Sequence, residues 1–468
     1  MKHWIKNILN HKELILLSSM ILLFVSFFSY YGIKRHQVYL SEYYDLGIMD
    51  QTVYNTSRGR ILQLTDPTGF TTINRLAIHA DVFLAVLAPL YWLYSGPVTL
   101  IILQVFTVAL GSVFIYFLSK EILKSKIVSL GLAFLYLMYP PLQWSVIFDF
   151  HSVTLTTTFI LAFFFFWVKR RYLFSLFFAA LAIISKEQVA VTIILMSVYF
   201  YLIRREKKFS IYLIFMSVIW LVSFFFVFLP LFRQNSHFAL SRYQYLGTGI
   251  NAFVIILQKI FHIATVTYLW KIFSPLAFLP LLSPFILFAM PDLLINILSD
   301  NANMQNILHH YTAVLTPVFF ISAIYGIKFL IKRFENKINY LWIILVIALF
   351  FASYKYSPLP YSLAYDGRPF NSRLPETNDI QLWQRILSDE NIKVAVSGNL
   401  GPHFSQRKTL IRFSSNYKMA DYVVLLKDKV LADWYDINGS RDAYFQLSYD
   451  ENFKLVYQRL NFEVFKRI

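Results

Sequence analysis

A succession of apolar runs, separated by short basic loops, limits what this chain can fold into more than any other feature. The first run, 14–32, is 19 residues without a charged side chain. At 1.5 Å per residue that length matches the roughly 30 Å hydrocarbon core of a bilayer. Lipid offers no hydrogen-bond partner to the backbone, so such runs are expected to be helices. The loops between them carry "KEILKSK" (120–126), "VKRR" (168–171), "RREKK" (204–208) and "KRFENK" (332–337). Lys and Arg concentrated in short loops mark the cytoplasmic side.

With 57% hydrophobic residues, 15% charged and a mean hydropathy of +0.53, the chain is not an ordinary soluble domain. The net charge of +17 comes largely from these loops and is better explained by membrane orientation than by nucleic acid, so no nucleic-acid partner is expected. The absence of cysteine excludes disulfides, thiolate zinc sites and cysteine nucleophiles.

Following the charges from a cytoplasmic N-terminus gives an all-α polytopic protein of about 10–11 transmembrane helices in the cytoplasmic (inner) membrane. The first span, about 14–33, delivers a long outer loop, 34–96. Within that loop the apolar stretch 82–94 has 13 residues, about 20 Å of helix, and reads as interfacial or re-entrant. Residues 140–152 read as a second outer loop, and 172–185 with 188–203 as an outward hairpin tipped by "SKEQ" (185–188). Whether 252–270 crosses is left open; if it does, the tail lies outside. That tail is expected to form a small α/β extracytoplasmic domain, 355–468, beside a membrane domain of 1–354. Its helix is expected at 376–389, with strands at 392–396 and 420–427.

Three polar groups fall on one side of this topology. They are Asp45 and Asp50 in "YYDLGIMDQ", Asp149 and His151 in "FDFHS", and Lys186 and Glu187 in "SKEQ". Ionisable groups at membrane depth are costly and are functional candidates by default. Asp45 and Asp50 are about 140° apart on a regular helix, so one is expected to act and the other to support. The bland alternatives are that Asp45 caps the following helix and that Asp50 sits on a solvated face. Lys186 and Glu187 could equally snorkel to headgroups. "NRLAIHAD" (74–81) adds Arg75 and His79, the latter a possible cap; Arg58 is either a headgroup anchor or a phosphate clamp.

"YYDLGIMDQTVYNTSRGR", "HADVFLAVLAPLYWL", "YPPLQWSVIFDFHS", "SKEQVA" and "GPHFSQR" together resemble domain-of-unknown-function family 2079 of prokaryotic membrane proteins. Where that family usually has "KED", this chain has Lys186-Glu187-Gln188. The family in turn resembles the GT-C glycosyltransferases, whose first outer loop carries a catalytic acid. The resemblance implies a glycosyltransferase taking a sugar from a polyprenyl-phosphate donor to an acceptor on the outer face. Asp45 matches the general base, and Asp149 lies where a second acidic motif is expected. Lys186, with Arg75 or Arg58, would stabilise the leaving phosphate. Asp149 and His151 would orient the acceptor or a metal. The cofactor stays unassigned, with a divalent ion such as Mg or Mn as the candidate, and the metal ligands stay unknown. Asp50, Arg58, Arg75, His79, His151 and Glu187 are the expected substrate-binding residues. The rival reading is a transporter or lipid flippase using the same acids for protons or substrate.

Overall fold

The structure is a computed structural model and describes residues 12–233, 238–334, 338–432 and 439–468. The basic head before residue 12, part of the polar loop after Arg233 and the end of the 332–337 cluster lie outside the described residues. The chain divides into two compact units. One holds Met1–Tyr30, Gln104–Phe148 and Ser152–Asp366; the other holds Tyr31–Leu103, Asp149–His151 and Gly367–Ile468. Composition places a single cut at 354, whereas the fold takes most of the first long loop and Asp149–His151 into the same unit as the tail.

The first unit is helical. Among the described residues four helices are long and apolar enough to cross a membrane: Lys12–Gln37, Pro97–Leu123, Lys207–Phe232 and Leu315–Arg333. Two further pairs are broken spans or re-entrant segments. The pair Lys126–Leu137 and Pro140–Ile147 bends by 46°. The bend falls where Tyr139, preceding Pro140 and Pro141, is forced into an extended conformation. Residues 140–147 are therefore a buried helix, where the sequence reads as an outer loop. The pair Gly249–Ile260 and Ile263–Leu276 bends by 52°. There His262 turns extended and its ring accepts from the Ala264 amide. The segment 275–299 is a series of 3-10 turns leading into Met290–Ile297, with prolines at 275, 280, 284 and 291. Shorter apolar helices such as Ser152–Val168, Tyr172–Ile183 and Val189–Leu202 complete the unit. An estimate of about 10–11 spans must count such short helices as well.

Close helix approach needs small residues, because lipid leaves van der Waals packing and hydrogen bonds as the main attractions between helices. Gly111 supplies one such contact: a Cβ there would lie 2.1 Å from the Tyr136 hydroxyl. That hydroxyl donates to the Val108 carbonyl at 2.9 Å.

The second unit is built on a five-stranded sheet. Its strands are β3 (Val394–Val396), β4 (Leu410–Arg412), β5 (Tyr422–Leu426), β6 (Phe453–Arg459) and β7 (Phe462–Arg467), in the order β4-β3-β5-β7-β6. β4, β3 and β5 run parallel, and β7 and β6 add an antiparallel edge. The central "VAV" and "YVVLL" are almost wholly apolar because both faces of a parallel sheet are covered. Ile411, Phe413, Tyr417, Val423, Leu425, Leu447 and Phe465 pack into its core. The helix expected at 376–389 spans Thr377–Ile386. A hairpin of β1 (Gln63–Thr65) and β2 (Thr72–Asn74) comes from the first loop.

That loop is bound to the sheet by named contacts. The Tyr43 hydroxyl donates to the Leu410 carbonyl at 2.9 Å, and the Gln51 amide donates to the Arg407 carbonyl at 3.1 Å. Gly47 and Gly401 let two backbones meet: a Cβ on Gly401 would lie 2.6 Å from Tyr43 Cβ and 2.8 Å from its Cα.

Candidate functional site

A turn with Tyr39 at φ 60° follows the first long helix, Glu42 is extended, and Tyr43–Gly47 then makes one wide π-turn before the helix Ile48–Ser57. The N-cap of that helix is Gly47, so Asp45 does not cap it. Its carboxylate instead faces His151 Nε2 at 3.2 Å. The other ring nitrogen, Nδ1, is 2.9 Å from the Asp149 carbonyl. A carbonyl only accepts, so Nδ1 carries a hydrogen.

Asp149 is 3% exposed and fully engaged. One oxygen takes the Arg35 guanidinium, and the other accepts the Glu42 amide at 2.7 Å. Loss of hydration pushes its carboxyl upward, Arg35 opposes this, and the charge of Asp45 adds to the rise. Glu42 is pushed up to about 7, first by loss of hydration and then by Asp149, with Arg412 opposing. Three acids and a histidine thus share one region, held by Arg35 and Arg412, although they come from separate parts of the chain.

Asp50 does not sit on a solvated face. It is 0% exposed, accepts from the Tyr91 hydroxyl, and accepts from Ser405 Oγ at 2.6 Å. With hydroxyl donors in place of a cation, burial pushes its carboxyl up to about 6.

Arg75 is 2% exposed and grips Asp81 through Nε at 2.9 Å and Nη2 at 2.9 Å. These bonds tie it to the loop, while its Nη1 has no hydrogen-bond partner among the described residues. Arg58 is exposed and lies over the Tyr54 ring, 5.4 Å from its centroid. His79 donates its backbone amide to the Arg75 carbonyl at 3.1 Å. Lys186 and Glu187 belong to the helical unit, on the turn between Tyr172–Ile183 and Val189–Leu202. Lys186 is near enough for its charge to act on Asp292, which also receives Gln188 at 2.6 Å and Thr192 at 2.9 Å.

The metal candidate does not fit this arrangement. Among the described residues no three His, Asp or Glu side chains are placed to hold an ion. Both Asp149 oxygens are already occupied.

Residue-type reasoning overlooked Glu42, Arg35 and Arg412. Glu42 lies three residues before Asp45 in the stretch "SEYYD". Arg35 sits in a run of Lys and Arg that reads as a helix-end anchor.

The fold is GT-C-like. It is similar to ArnT from Cupriavidus metallidurans, solved bound to undecaprenyl phosphate, with a TM-score of 0.53 and 10% identity, covering 97% of this chain and 98% of that one. An Archaeoglobus fulgidus oligosaccharyltransferase, solved with zinc and sulfate, aligns at a TM-score of 0.47 and 12% identity over 89% of this chain and 68% of the other. The oligosaccharyltransferase AglB from Archaeoglobus fulgidus, solved with an inhibitory peptide and a dolichol-phosphate, gives 0.47 and 12% over 97% and 74%. No curated protein matches the sequence. The profile of the family described as "Predicted membrane protein (DUF2079)" matches residues 35–466. Covering all but the ends of the chain, that match makes this protein a member of the DUF2079 family of membrane proteins.

Proposed function

We propose that this protein is a membrane glycosyltransferase that takes a sugar from a polyprenyl-phosphate donor and places it on an acceptor hydroxyl at the outer face of the cytoplasmic membrane. The observation that carries the reading is the Asp45–His151 pair at 3.2 Å, set beside Asp149 and Arg35 in a chain whose fold follows ArnT over nearly its full length.

In this reaction the acceptor oxygen forms a bond to the anomeric carbon while the bond from that carbon to the phosphate oxygen breaks. The acceptor proton passes to Asp45, and the electron pair leaves with the lipid phosphate. A positioned base of this kind contributes about 10²–10⁴-fold in rate. His151 orients Asp45, which gives up the captured proton to solvent between turnovers and so becomes a carboxylate again. Asp149 with Arg35 fixes the His151 backbone and so the angle of the pair. No step is routed through a metal.

The test is glycolipid and glycan profiling of a deletion strain rescued with wild type or with Asp45→Asn. The variant should accumulate in the membrane at normal level and fail to restore the missing glycan. Full rescue by Asp45→Asn would remove Asp45 from the mechanism. Normal glycans in the deletion strain, with loss of a solute uptake or lipid translocation, would favour the transporter reading.

A further inference from the structure

The parallel strands of the second unit end at a recess that the transfer chemistry does not use. β3 is followed in sequence by β4 on one side, while β5 joins it on the other. The loops leaving β3 and β5 therefore part, and such a switch point at the carboxyl ends of parallel strands is where open α/β sheets place ligands. The cavity here is about 280 Å³. Ser397, Gly398 and Asn399 follow β3, Arg412 ends β4, Lys429 follows β5, and Glu42 enters from the first loop.

Asn399 is 5% exposed, lines the recess, and has neither its amide nitrogen nor its amide oxygen hydrogen-bonded. A buried amide left open on both atoms is rare in a folded protein and calls for a polar partner. Gly398 keeps the recess from filling: a Cβ there would lie 2.6 Å from the Glu42 carboxylate. The helix Ser440–Ser448 also begins at this wall, and its N-cap, Gly439, has no side chain to meet the first amides.

Two cations against one carboxylate favour an anion. A guanidinium fork suits the paired oxygens of a phosphate, while Asn399, Ser397 and Glu42 suit hydroxyl groups. We propose that this recess binds a small phosphorylated sugar or polyol, with Arg412 and Lys429 on the phosphate and Asn399 and Glu42 on the hydroxyls. The recess shares Glu42 and Arg412 with the region of Asp45 and Asp149, but its ligand binding does not require that a sugar be transferred there.

Calorimetric titration of the purified full chain in detergent with glucose 1-phosphate tests this. Saturable binding is expected, with inorganic phosphate weaker and glucose alone not binding. Arg412→Gln and Lys429→Gln should each weaken glucose 1-phosphate about tenfold, as expected for loss of one charged contact. Asn399→Ala should weaken glucose 1-phosphate more than it weakens phosphate. Lys429 is exposed, so its variant reports binding without a folding defect. In nanodiscs, lower affinity in phosphatidylglycerol than in phosphatidylcholine assigns the recess to a lipid headgroup, and equal affinity assigns it to a soluble ligand. The proposal is overturned if wild type shows no saturable binding, or if Arg412→Gln and Lys429→Gln both bind as wild type does.

Discussion

Asp45 and His151, 106 positions apart in the chain, lie 3.2 Å from one another through a carboxylate oxygen and Nε2. The backbone carbonyl of Asp149 holds the other face of the ring at 2.9 Å, so the imidazole is fixed at both nitrogens.

Replacing His151 with Gln keeps a polar partner for Asp45 but removes the imidazole that orients it. Transfer by His151→Gln should fall by about 10–100-fold, in line with losing part of an acid–base unit. The loss should appear in kcat rather than in KM. A variant that transfers at the wild-type rate would assign His151 a packing role only.

Asp50 predicts how stability depends on pH. Its folded carboxyl is pushed up to about 6, above an ordinary value of 3.8, so the folded state binds the proton more tightly than the unfolded one. Stability from this group is therefore greatest below pH 4 and declines as pH rises through the window from about 4 to about 6. Thermal midpoints measured in detergent across that window should fall less steeply for Asp50→Asn than for wild type. Glu42, pushed up to about 7, extends the same trend to higher pH. Identical slopes in wild type and Asp50→Asn would contradict the assignment.

Arg75 and Asp81 make a second, sharper case. Both are buried and the pair is closed by three hydrogen bonds. Removing one partner strands a buried charge, which typically costs about 3–5 kcal/mol. Asp81→Asn and Arg75→Gln should each lower the thermal midpoint markedly, and replacing both should recover part of the loss. If Arg75 instead served only to hold substrate, Arg75→Gln would leave the midpoint in place.

A fourth expectation concerns Gly401. An alanine there would press on Tyr43 Cα at 2.8 Å, and backbone yields less readily than a side-chain tip. Overpacking of this kind costs about 1–3 kcal/mol. Limited proteolysis of Gly401→Ala should cut sooner between residues 31 and 103 than in wild type, and an unchanged cleavage pattern would argue against the tight approach.

Much of the chain could be read from its side-chain types. The run at 14–32 became the helix Lys12–Gln37, since length and hydropathy leave lipid-facing backbone no other choice. The strands at 392–396 and 420–427 emerged as β3 and β5 because a buried parallel strand is a continuous apolar run. The helix Pro140–Ile147 was not legible, since two prolines and a Gln resemble a loop until the bend at Tyr139 is seen. The 3-10 turns of 275–299 were hidden for the opposite reason, as hydropathy is blind to proline breaks.

The sequence by itself determined that this is a helical membrane protein with a small α/β tail, because hydropathy and strand period are local properties of neighbouring residues. Only the tertiary structure decided which acids act together. Asp45 found His151, Asp50 was buried against Tyr91 and Ser405, and Arg75 was spent on Asp81. Such pairings join residues up to 355 positions apart and depend on the three-dimensional path of the backbone, which no local pattern records.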